Sequence, residues 1–429
     1  MMRTVILIAA LFLFATWCSA ARADETWPQF RGPGGQGHAS ATNLPLEFSE
    51  TSNVTWKTPL PGEGWSSPVS DGQTLWMTTA VVQNDSQVSL RALGVDAVSG
   101  KLRANIEVLQ PLAAIRLNLK NSHASPTPVL EAGRLYMHFG TYGSACLDTH
   151  SGKVVWRNTD LHLDHKEGPG SSPLIYHDLM IFNCDGMDVQ YVVALDKRTG
   201  KVAWRTKRSG ELSSDPEQCK AYATNLVIHA DGRDQLISPG AWQVVSYEPA
   251  TGKEIWKVRY APGFSNVPRP LLGHGLLYVC TGYMKPQLWA IRPTGHGDIS
   301  DSGVIWKLPK QAPANPSPLL VGNDIFMVAD KGVATCVDAL SGEVVWTERL
   351  PGNFSASPVF VDGRIYISSE AGAVYVVAPS REFTLLATNQ LDGRLMASPA
   401  VLGNALFFRT DTAISRIEQR KTAAQSASR

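Results

Sequence analysis

The sequence lacks most of the features that would assign it to a familiar functional class. Beyond residue 14, no apolar run is long enough to cross a bilayer as a helix. The 39 lysine and arginine residues almost balance the 38 aspartate and glutamate residues, so neither nucleic acid nor an anionic membrane is expected as a partner. The chain has no HExxH, P-loop, nucleophile-elbow or dinucleotide-binding motif. Its function therefore has to be inferred from repeats and loops.

The N-terminus carries the pattern of an export signal. Arg3 precedes an apolar run at residues 5–14, and Ala21-Arg22-Ala23 forms an Ala-x-Ala cleavage site. Residues 1–23 are therefore predicted to be a signal peptide that is removed after Ala23. The bulky Trp17 before Cys18 disfavours a lipid anchor. We expect a periplasmic or secreted protein without a membrane span.

One motif recurs along the mature chain. Asp-x-x-Ser/Thr-Gly-x-x-x-Trp occurs at residues 148–156, 196–204 and 338–346, and residues 248–256 differ by a leading Glu. The Asp can accept hydrogen bonds from the turn backbone, and the Gly supplies the positive φ of a tight hairpin. The Trp is large enough to fill the wedge between neighbouring blades. We predict this blade-docking role for Trp56, Trp156, Trp204, Trp256, Trp306 and Trp346.

A second marker, a Ser-Pro or similar dipeptide followed by alternating apolar residues and a Gly turn, starts each unit. It occurs at Ser67, Ser125, Ser172, Arg269, Ser317, Ser357 and Ser398, and a unit without the proline starts near Tyr222. Eight starts and eight Trp-type strands, offset by one, predict an all-β, eight-bladed β-propeller of four-stranded antiparallel blades. The N-terminal strand around Trp56 should complete the last blade and close the ring. Residues 24–52 then form a lead-in, 53–418 the propeller, and 419–429 a disordered tail.

Cysteine is scarce, and the spacing of the cysteines does not indicate a set of disulfide bonds. The chain has six cysteines, no two of them adjacent, and five remain after the predicted cleavage. Cys146 and Cys336 occupy equivalent positions in two blades on opposite sides of the ring. Most cysteines should therefore be small buried residues. A Cys184–Cys219 disulfide is the one pairing left open.

The motifs resemble those of the pyrroloquinoline-quinone (PQQ) repeat propellers over roughly residues 27–417. That superfamily includes quinoprotein alcohol dehydrogenases and the propeller lipoprotein of the outer-membrane barrel-assembly machine. Residues 27–33 and 168–173 are similar to exported PQQ-like propellers of bacteria, and residues 44–56 to the lead-in of the dehydrogenases. Resemblance to the dehydrogenases implies a Ca²⁺ ion beside PQQ and a disulfide between adjacent cysteines. This sequence has no adjacent cysteines, and no local pattern assigns the calcium ligands.

Candidate binding residues are predicted at one mouth of the central channel, where loops enter the first strand of each blade. The ligand-binding candidates are Trp65, His123, Asp185, Arg269, Asp330, Lys331 and Glu370. Lys331 loosely resembles a lysine that contacts the cofactor in the quinone enzymes. The alternative interpretation is that such residues only hydrogen-bond the ends of the inner strands.

Two further segments contain residues that could bind a ligand. His162, Asp164 and His165 are potential metal ligands, but adjacent Asp164 and His165 cannot easily face the same way, so no metal site is predicted. The glycine-rich residues 32–37 do not join a strand to a helix, which argues against a phosphate cradle.

These observations favour a non-catalytic, exported scaffold that binds an envelope protein or a glycan. We expect it to be a monomer, to have no catalytic residues and to need no cofactor. The alternative function is a PQQ- and Ca²⁺-dependent periplasmic dehydrogenase of alcohols or sugars. Uptake of PQQ with Ca²⁺ by the purified protein would separate the two hypotheses.

Overall fold

A computed structural model describes residues 26–84, 87–210, 213–261 and 263–420. The predicted signal peptide and residues 421–429 of the predicted tail lie outside the described residues. Across the described ranges the chain forms short β-strands and three 3-10 turns, Pro33–Gly35, Gly140–Tyr142 and Pro216–Gln218. No helix in these ranges is long and apolar enough to cross a membrane.

The strands form eight sheets, one for each blade. Strands are numbered in chain order, and those of each blade are given from the axis outward. Blade 1 contains β2 (Val69–Ser70), β3 (Thr74–Asn84), β4 (Gln87–Asp96) and β5 (Leu102–Leu109). Blade 2 contains β6 (Val129–Glu131), β7 (Arg134–His138), β8 (Ser144–Asp148) and β9 (Val154–Asn158). Blade 3 contains β10 (Leu174–Tyr176), β11 (Leu179–Asp185), β12 (Gln190–Asp196) and β13 (Val202–Lys207). Blade 4 contains β14 (Leu226–Ala230), β15 (Arg233–Gly240), β16 (Gln243–Tyr247) and β17 (Glu254–Arg259).

The second half of the ring repeats the same arrangement. Blade 5 contains β18 (Leu271–Gly273), β19 (Leu276–Cys280), β20 (Leu288–Ile291) and β22 (Val304–Leu308). Blade 6 contains β23 (Leu319–Val321), β24 (Asp324–Val328), β25 (Val333–Asp338) and β26 (Val344–Arg349). Blade 7 contains β27 (Val359–Val361), β28 (Arg364–Ser368), β29 (Ala373–Val377) and β30 (Leu385–Gln390). Blade 8 contains β31 (Ala400–Leu402), β32 (Ala405–Arg409), β33 (Ala413–Ile417) and β1 (Val54–Pro59).

The eighth blade confirms the predicted ring closure. Its outermost strand is β1, which pairs antiparallel with β33 and places Thr58 opposite Ile414. Because the two ends of the propeller share one sheet, the ring has no seam along which it could open without breaking strand pairing. The prediction of an all-β, eight-bladed propeller is thereby confirmed.

Blade 4 is the exception to the four-stranded pattern. The connection between the third and fourth strands of blade 5 is long, and it contributes β21 (Gly297–Asp298). This strand pairs in parallel with β17, with Trp256 opposite Gly297. The outer edge of blade 4 is therefore covered by a strand from its neighbour.

The repeat tryptophans link neighbouring blades at the outer rim. The ring of Trp156 lies on Gly200, where an added Cβ would be 2.5 Å from the indole, and its Nε1 donates to Lys197 O at 2.9 Å. Trp204, Trp306 and Trp346 likewise donate to backbone carbonyls of the next blade. Trp56 lies against Gly100. Trp256 differs, because it is fully buried and donates to Gln235 Oε1 within its own blade.

A chain of hydroxyl contacts links the starts of the blades near the axis. The backbone N–H of Ser67 donates to Thr127 Oγ1, and that of Thr127 donates to Ser172 Oγ, both at 2.9 Å. Blade 2 therefore starts at Thr127-Pro128, and the expected start at Ser125 was two residues early. The Ser125 hydroxyl instead donates to Ser122 O within its own loop. Ser125-Pro126 is therefore a loop sequence that matches the blade-start pattern without starting a blade.

The five cysteines of the described residues are free and buried. Cys184 and Cys219, the pairing left open from the sequence, are not joined. The thiol of Cys219 instead lies 3.3 Å from Ser213 O. Burial raises the pKa of Cys184 to about 12, so its thiol stays protonated and unreactive.

Candidate binding site at the channel

The lead-in occupies one end of the central channel. Trp27 is fully buried and exchanges two backbone hydrogen bonds with Ser70 of blade 1, at 2.8 and 2.9 Å. Pro28 O accepts from Leu130 N–H of blade 2 at 2.8 Å. Phe360 O of blade 7 accepts from Ala39 N–H at 3.0 Å. Residues 27–39, called the plug below, therefore touch first strands on both sides of the axis.

Two buried arginines complete this contact across the axis. Arg31 of the plug donates to Ser317 O at 3.1 Å and to Pro318 O at 2.7 Å in blade 6. Arg269, at the start of blade 5, donates to Phe30 O at 2.8 Å. Gly35 lies so close to Arg269 that a Cβ at this position would overlap the guanidinium. The glycine-rich segment thus serves close packing inside the channel.

Apart from Arg269, which contacts the plug, the predicted binding residues lie toward the opposite end of the channel. The loops that enter each first strand share that end with the turns between second and third strands. Ser70 and Leu130, which the plug contacts, precede the turns at the other end of their strands. The end that carries the predicted residues is called the mouth, and its loops form the mouth face.

A long loop from blade 1 lies over the mouth. In this mouth loop, residues 110–123, Lys120 Nζ forms an ion pair with Glu370 Oε1 of blade 7 at 2.6 Å. The same carboxylate oxygen accepts from Ser355 Oγ at 2.7 Å. Asn121 Nδ2 donates to Pro169 O at 3.2 Å and so fixes the loop to the connection between blades 2 and 3. Glu370 is therefore an anchor of the loop that covers the mouth.

Trp65 lies beneath the mouth loop, and His123 is the last residue of that loop. The backbone N–H of Trp65 donates to Ser122 Oγ at 3.2 Å, and the Arg394 guanidinium carbon lies 5.4 Å from the centre of the Trp65 ring. His123 Nδ1 lies 2.8 Å from the Tyr142 hydroxyl. Burial lowers the pKa of His123, so the ring is neutral at pH 7. Both side chains are buried and contribute to the packing of the mouth.

Asp185 forms a fully buried ion pair instead of a binding site. Its two carboxylate oxygens accept from Arg208 Nε and Nη2, each at 2.6 Å, and Arg208 Nη2 also donates to Ser238 Oγ at 2.9 Å. Burial raises the pKa of Asp185. For Arg208, burial alone would lower the pKa, but the adjacent Asp185 carboxylate raises it above its usual value. The pair joins blades 3 and 4 near the axis.

The other two predicted residues have local partners. The Asp330 carboxylate accepts from Ala314 N–H at 2.7 Å and from the Asn315 side-chain amide. Lys331 is exposed, with Nζ 3.4 Å from Asn353 Oδ1. The structure therefore gathers Trp65, His123 and Glu370 around the mouth loop and joins Arg269 to the plug. It does not bring the seven residues into one site.

The residues around the channel do not fit PQQ and Ca²⁺. The carboxylates of Asp185, Asp330 and Glu370 are held by Arg208, Asn315 and Lys120. Among the residues that the structure describes, no three His, Cys, Asp or Glu side chains lie together as a metal site requires. The plug also packs so closely against Arg269 that an added Cβ at Gly35 would overlap the guanidinium.

An aromatic groove of about 460 Å³ opens on the mouth face between blades 4 and 5. Trp242, Tyr260 and Trp289 line it, and the Lys307 Nζ lies 3.9 Å from the centre of the Trp289 ring. Sequence reasoning missed this groove. Trp242 and Trp289 stand outside the repeat motif, and no spacing rule relates them to each other.

Eight blades, closure by an N-terminal strand and tryptophans stacked on turn glycines define a β-propeller of the PQQ-repeat class. Within that class, the chain belongs to the PQQ_2 family, described as outer membrane protein assembly factor BamB. The family model matches overlapping segments at residues 48–236, 188–299, 240–348, 297–396 and 335–423. The resemblance predicted from the motifs is confirmed.

Individual relatives are distant. An outer membrane protein assembly factor BamB of Legionella pneumophila (strain Paris) is 24% identical over a 207-residue alignment that covers 44% of this chain and 50% of that protein. The chain thus matches about half the length of this curated relative. The crystal structure of BamB from Moraxella catarrhalis has a TM-score of 0.58 and 13% identity over 85% of this chain and 99% of that chain. A europium-containing methanol dehydrogenase has a TM-score of 0.65 and 13% identity over 89% of each chain. At these identities the two structures show the fold alone.

Proposed function

We propose that this propeller is a non-catalytic, exported scaffold that binds a protein partner of the cell envelope through its mouth face. One observation carries the proposal. Of the seven large apolar side chains of the described residues that are more than half exposed, five lie on this face: Val82 near the end of β3, and Leu112, Leu119, Tyr283 and Met284 in loops. The other two, Val98 and Leu340, lie in turns of the opposite face. Leu112 and Leu119 of the mouth loop are 98% and 94% exposed. Apolar side chains that protrude from polar loops are typical anchors of protein–protein interfaces.

The two ends of the channel support the same function. The plug fills one end, and the mouth loop covers the other, so a partner meets loops and not an open cavity. The predicted residue Trp65 packs beneath the mouth loop, His123 packs on Tyr142 at the end of the loop, and Glu370 anchors the loop through Lys120. The binding residues of the proposal are thus the exposed side chains of the mouth loop and of the neighbouring loops.

The family supports an envelope partner. Its members are described as outer membrane protein assembly factors. For this chain we propose a periplasmic location after removal of residues 1–23, with the lead-in at 24–52 and the propeller at 53–418. The scaffold needs neither PQQ nor Ca²⁺ in this proposal.

The test uses a photoreactive amino acid placed at Leu112 or Leu119 in cells that express the full chain. The matched control is Val98, which is 73% exposed on the same blade but lies in a turn at the opposite face. We expect the two mouth-loop positions to crosslink one envelope protein, and Val98 to crosslink none. Equal crosslinking from Val98, or none from either leucine, would overturn the proposal.

Two variants separate a lost interface from a lost fold. Leu112→Glu and Leu119→Glu change side chains that pack against almost nothing, so the melting temperature should not move. Crosslinking from the unchanged neighbouring position should fall at least tenfold. Addition of PQQ and Ca²⁺ to the purified protein should leave the melting temperature unchanged, because a ligand of the native state would raise it. Uptake of PQQ followed by alcohol or sugar oxidation would overturn the scaffold proposal and show that the protein is a dehydrogenase.

A further inference from the structure

Two positive charges meet at the axis without a neutralising partner. Arg31 and Arg269 are fully buried, and the charge of Arg269 is close enough to act on Arg31. No carboxylate of the described residues lies within 4.0 Å of either guanidinium, whereas such pairs occur at many other arginines, among them Arg208, Arg364 and Arg381. Burial lowers the pKa of Arg31 to about 9 and that of Arg269 to about 10, so both remain charged at neutral pH.

The acceptors around the two guanidiniums are all neutral. Arg31 donates to Ser317 O, Pro318 O and Gln36 O. Arg269 donates to Asn225 O, Phe30 O and Gln29 Oε1. Carbonyl oxygens satisfy N–H groups, but they do not cancel charge, and a buried ion without a counter-charge is costly.

Polar atoms of this pair and of the adjacent Asn225 also remain without a partner. Within the described part of the chain, Arg31 Nε is buried and makes no hydrogen bond, and neither polar atom of the Asn225 side chain makes one. Asn225 is 1% exposed, and its backbone oxygen lies 3.1 Å from Arg269 Nε, which places it beside the pair. Buried polar atoms are almost always satisfied, if not by protein then by water or an ion.

From this charge balance we propose that the axis holds a small inorganic anion of the halide class beside Arg31, Arg269 and Asn225. The anion supplies the missing negative charge, which a water molecule cannot do. It is small because the plug packs closely there, with Gly35 against the Arg269 guanidinium. Bound between a plug residue and a residue of blade 5, it clamps the plug into the channel.

The fully buried Arg208 gives the internal comparison. Its charge is balanced within the chain by Asp185, at 2.6 Å. Stability that depends on Arg208 should therefore not depend on an added anion. Stability that depends on Arg31 and Arg269 should increase when the anion is added.

The first measurement is the melting temperature of the full mature protein at constant ionic strength, with gluconate replaced stepwise by chloride. Constant ionic strength removes general screening from the comparison. We expect the melting temperature to rise with the logarithm of chloride concentration, as mass action requires of a ligand of the native state. Arg269→Gln should abolish the rise, whereas Arg208→Gln should lower the starting value and retain the slope.

The second measurement does not depend on any variant folding. Crystals of the wild-type protein grown in bromide should show an anomalous peak between Arg31 and Arg269. No peak together with no chloride dependence would overturn the proposal in favour of bound water. A peak without chloride dependence would mean an adventitious ion only, and would overturn it as well.

Discussion

The rim and the axis of this propeller join the blades by different chemistry. At the rim the same contact is made repeatedly: a tryptophan such as Trp156 lies on the turn glycine of the next blade and donates to its backbone. At the axis each contact occurs once and involves charge, as in the Asp185–Arg208 pair and in Arg31 of the plug. The rim gains stability from repeated burial of aromatic area. The axis depends on desolvated charges that are stable only while their partners remain.

Removal of Arg208 should produce the largest difference between the two regions. Arg208→Ala leaves the Asp185 carboxylate buried and unpaired, which is expected to lower the free energy of unfolding by about 3–5 kcal/mol. The matched control at the rim is Arg381→Ala, because exposed Arg381 bridges Asp324 and Asp338 at 2.6 and 3.0 Å. Solvent screens an exposed pair of this kind, so its loss should change the stability much less than the loss of Arg208. Urea unfolding of the three proteins measures both values.

A double variant tests whether the stranded charge explains the effect of removing Arg208. If loss of Arg208 is costly because a charge is stranded, the apolar double variant Asp185→Leu with Arg208→Met should recover most of the lost stability. A double variant as unstable as Arg208→Ala would mean that shape, and not charge, holds this part of the axis.

Acid should destabilise the protein in two separate pH windows, the first set by buried histidines and the second by the turn carboxylates of the rim. Burial lowers the pKa of His165 to about 4 and that of His138, which stacks on Phe182, to about 3. In the folded protein these rings bind fewer protons than in the unfolded chain, so stability is full above pH 6.5 and falls as the pH drops toward 4. For His165 the change from 6.5 to about 4 corresponds to roughly 3 kcal/mol.

The rim responds only at lower pH. Hydrogen bonds from Ser99 lower the pKa of Asp96 to about 2, so the stability that this turn contributes is present above pH 4 and is lost toward pH 2. Urea midpoints at pH 7, 5 and 3 should therefore show an early loss that His165→Gln reduces and Asp96→Asn does not. A single loss confined to pH below 4 would show that the buried histidines do not control the early window.

The difference between the regions also explains what the sequence could predict. The rim recurs at a fixed spacing, so eight blades and ring closure by the strand at Trp56 followed from the repeat. The repeat pattern still misplaced one blade start, because Ser125-Pro126 matches the pattern although blade 2 starts at Thr127. The axis contacts join single residues far apart in the chain. Arg31 lies 286 positions before Ser317, and Lys120 lies 250 positions before Glu370. Neither pairing leaves a local pattern, so the plug and the covered mouth came from the structure alone.

The plug provides the smallest and most local comparison. Gly34 and Gly35 are adjacent and both have positive φ, of 66° and 69°. A Cβ at Gly34 meets nothing within 4 Å, whereas a Cβ at Gly35 would overlap the Arg269 guanidinium. Backbone strain is therefore shared by Gly34→Ala and Gly35→Ala, while only the second displaces the buried arginine. We expect Gly35→Ala to lower the free energy of unfolding by about 1–3 kcal/mol more than Gly34→Ala, the usual cost of overpacking. Equal losses in urea unfolding would mean that the plug is not packed against Arg269, and would remove the main structural reason for regarding this end of the channel as closed.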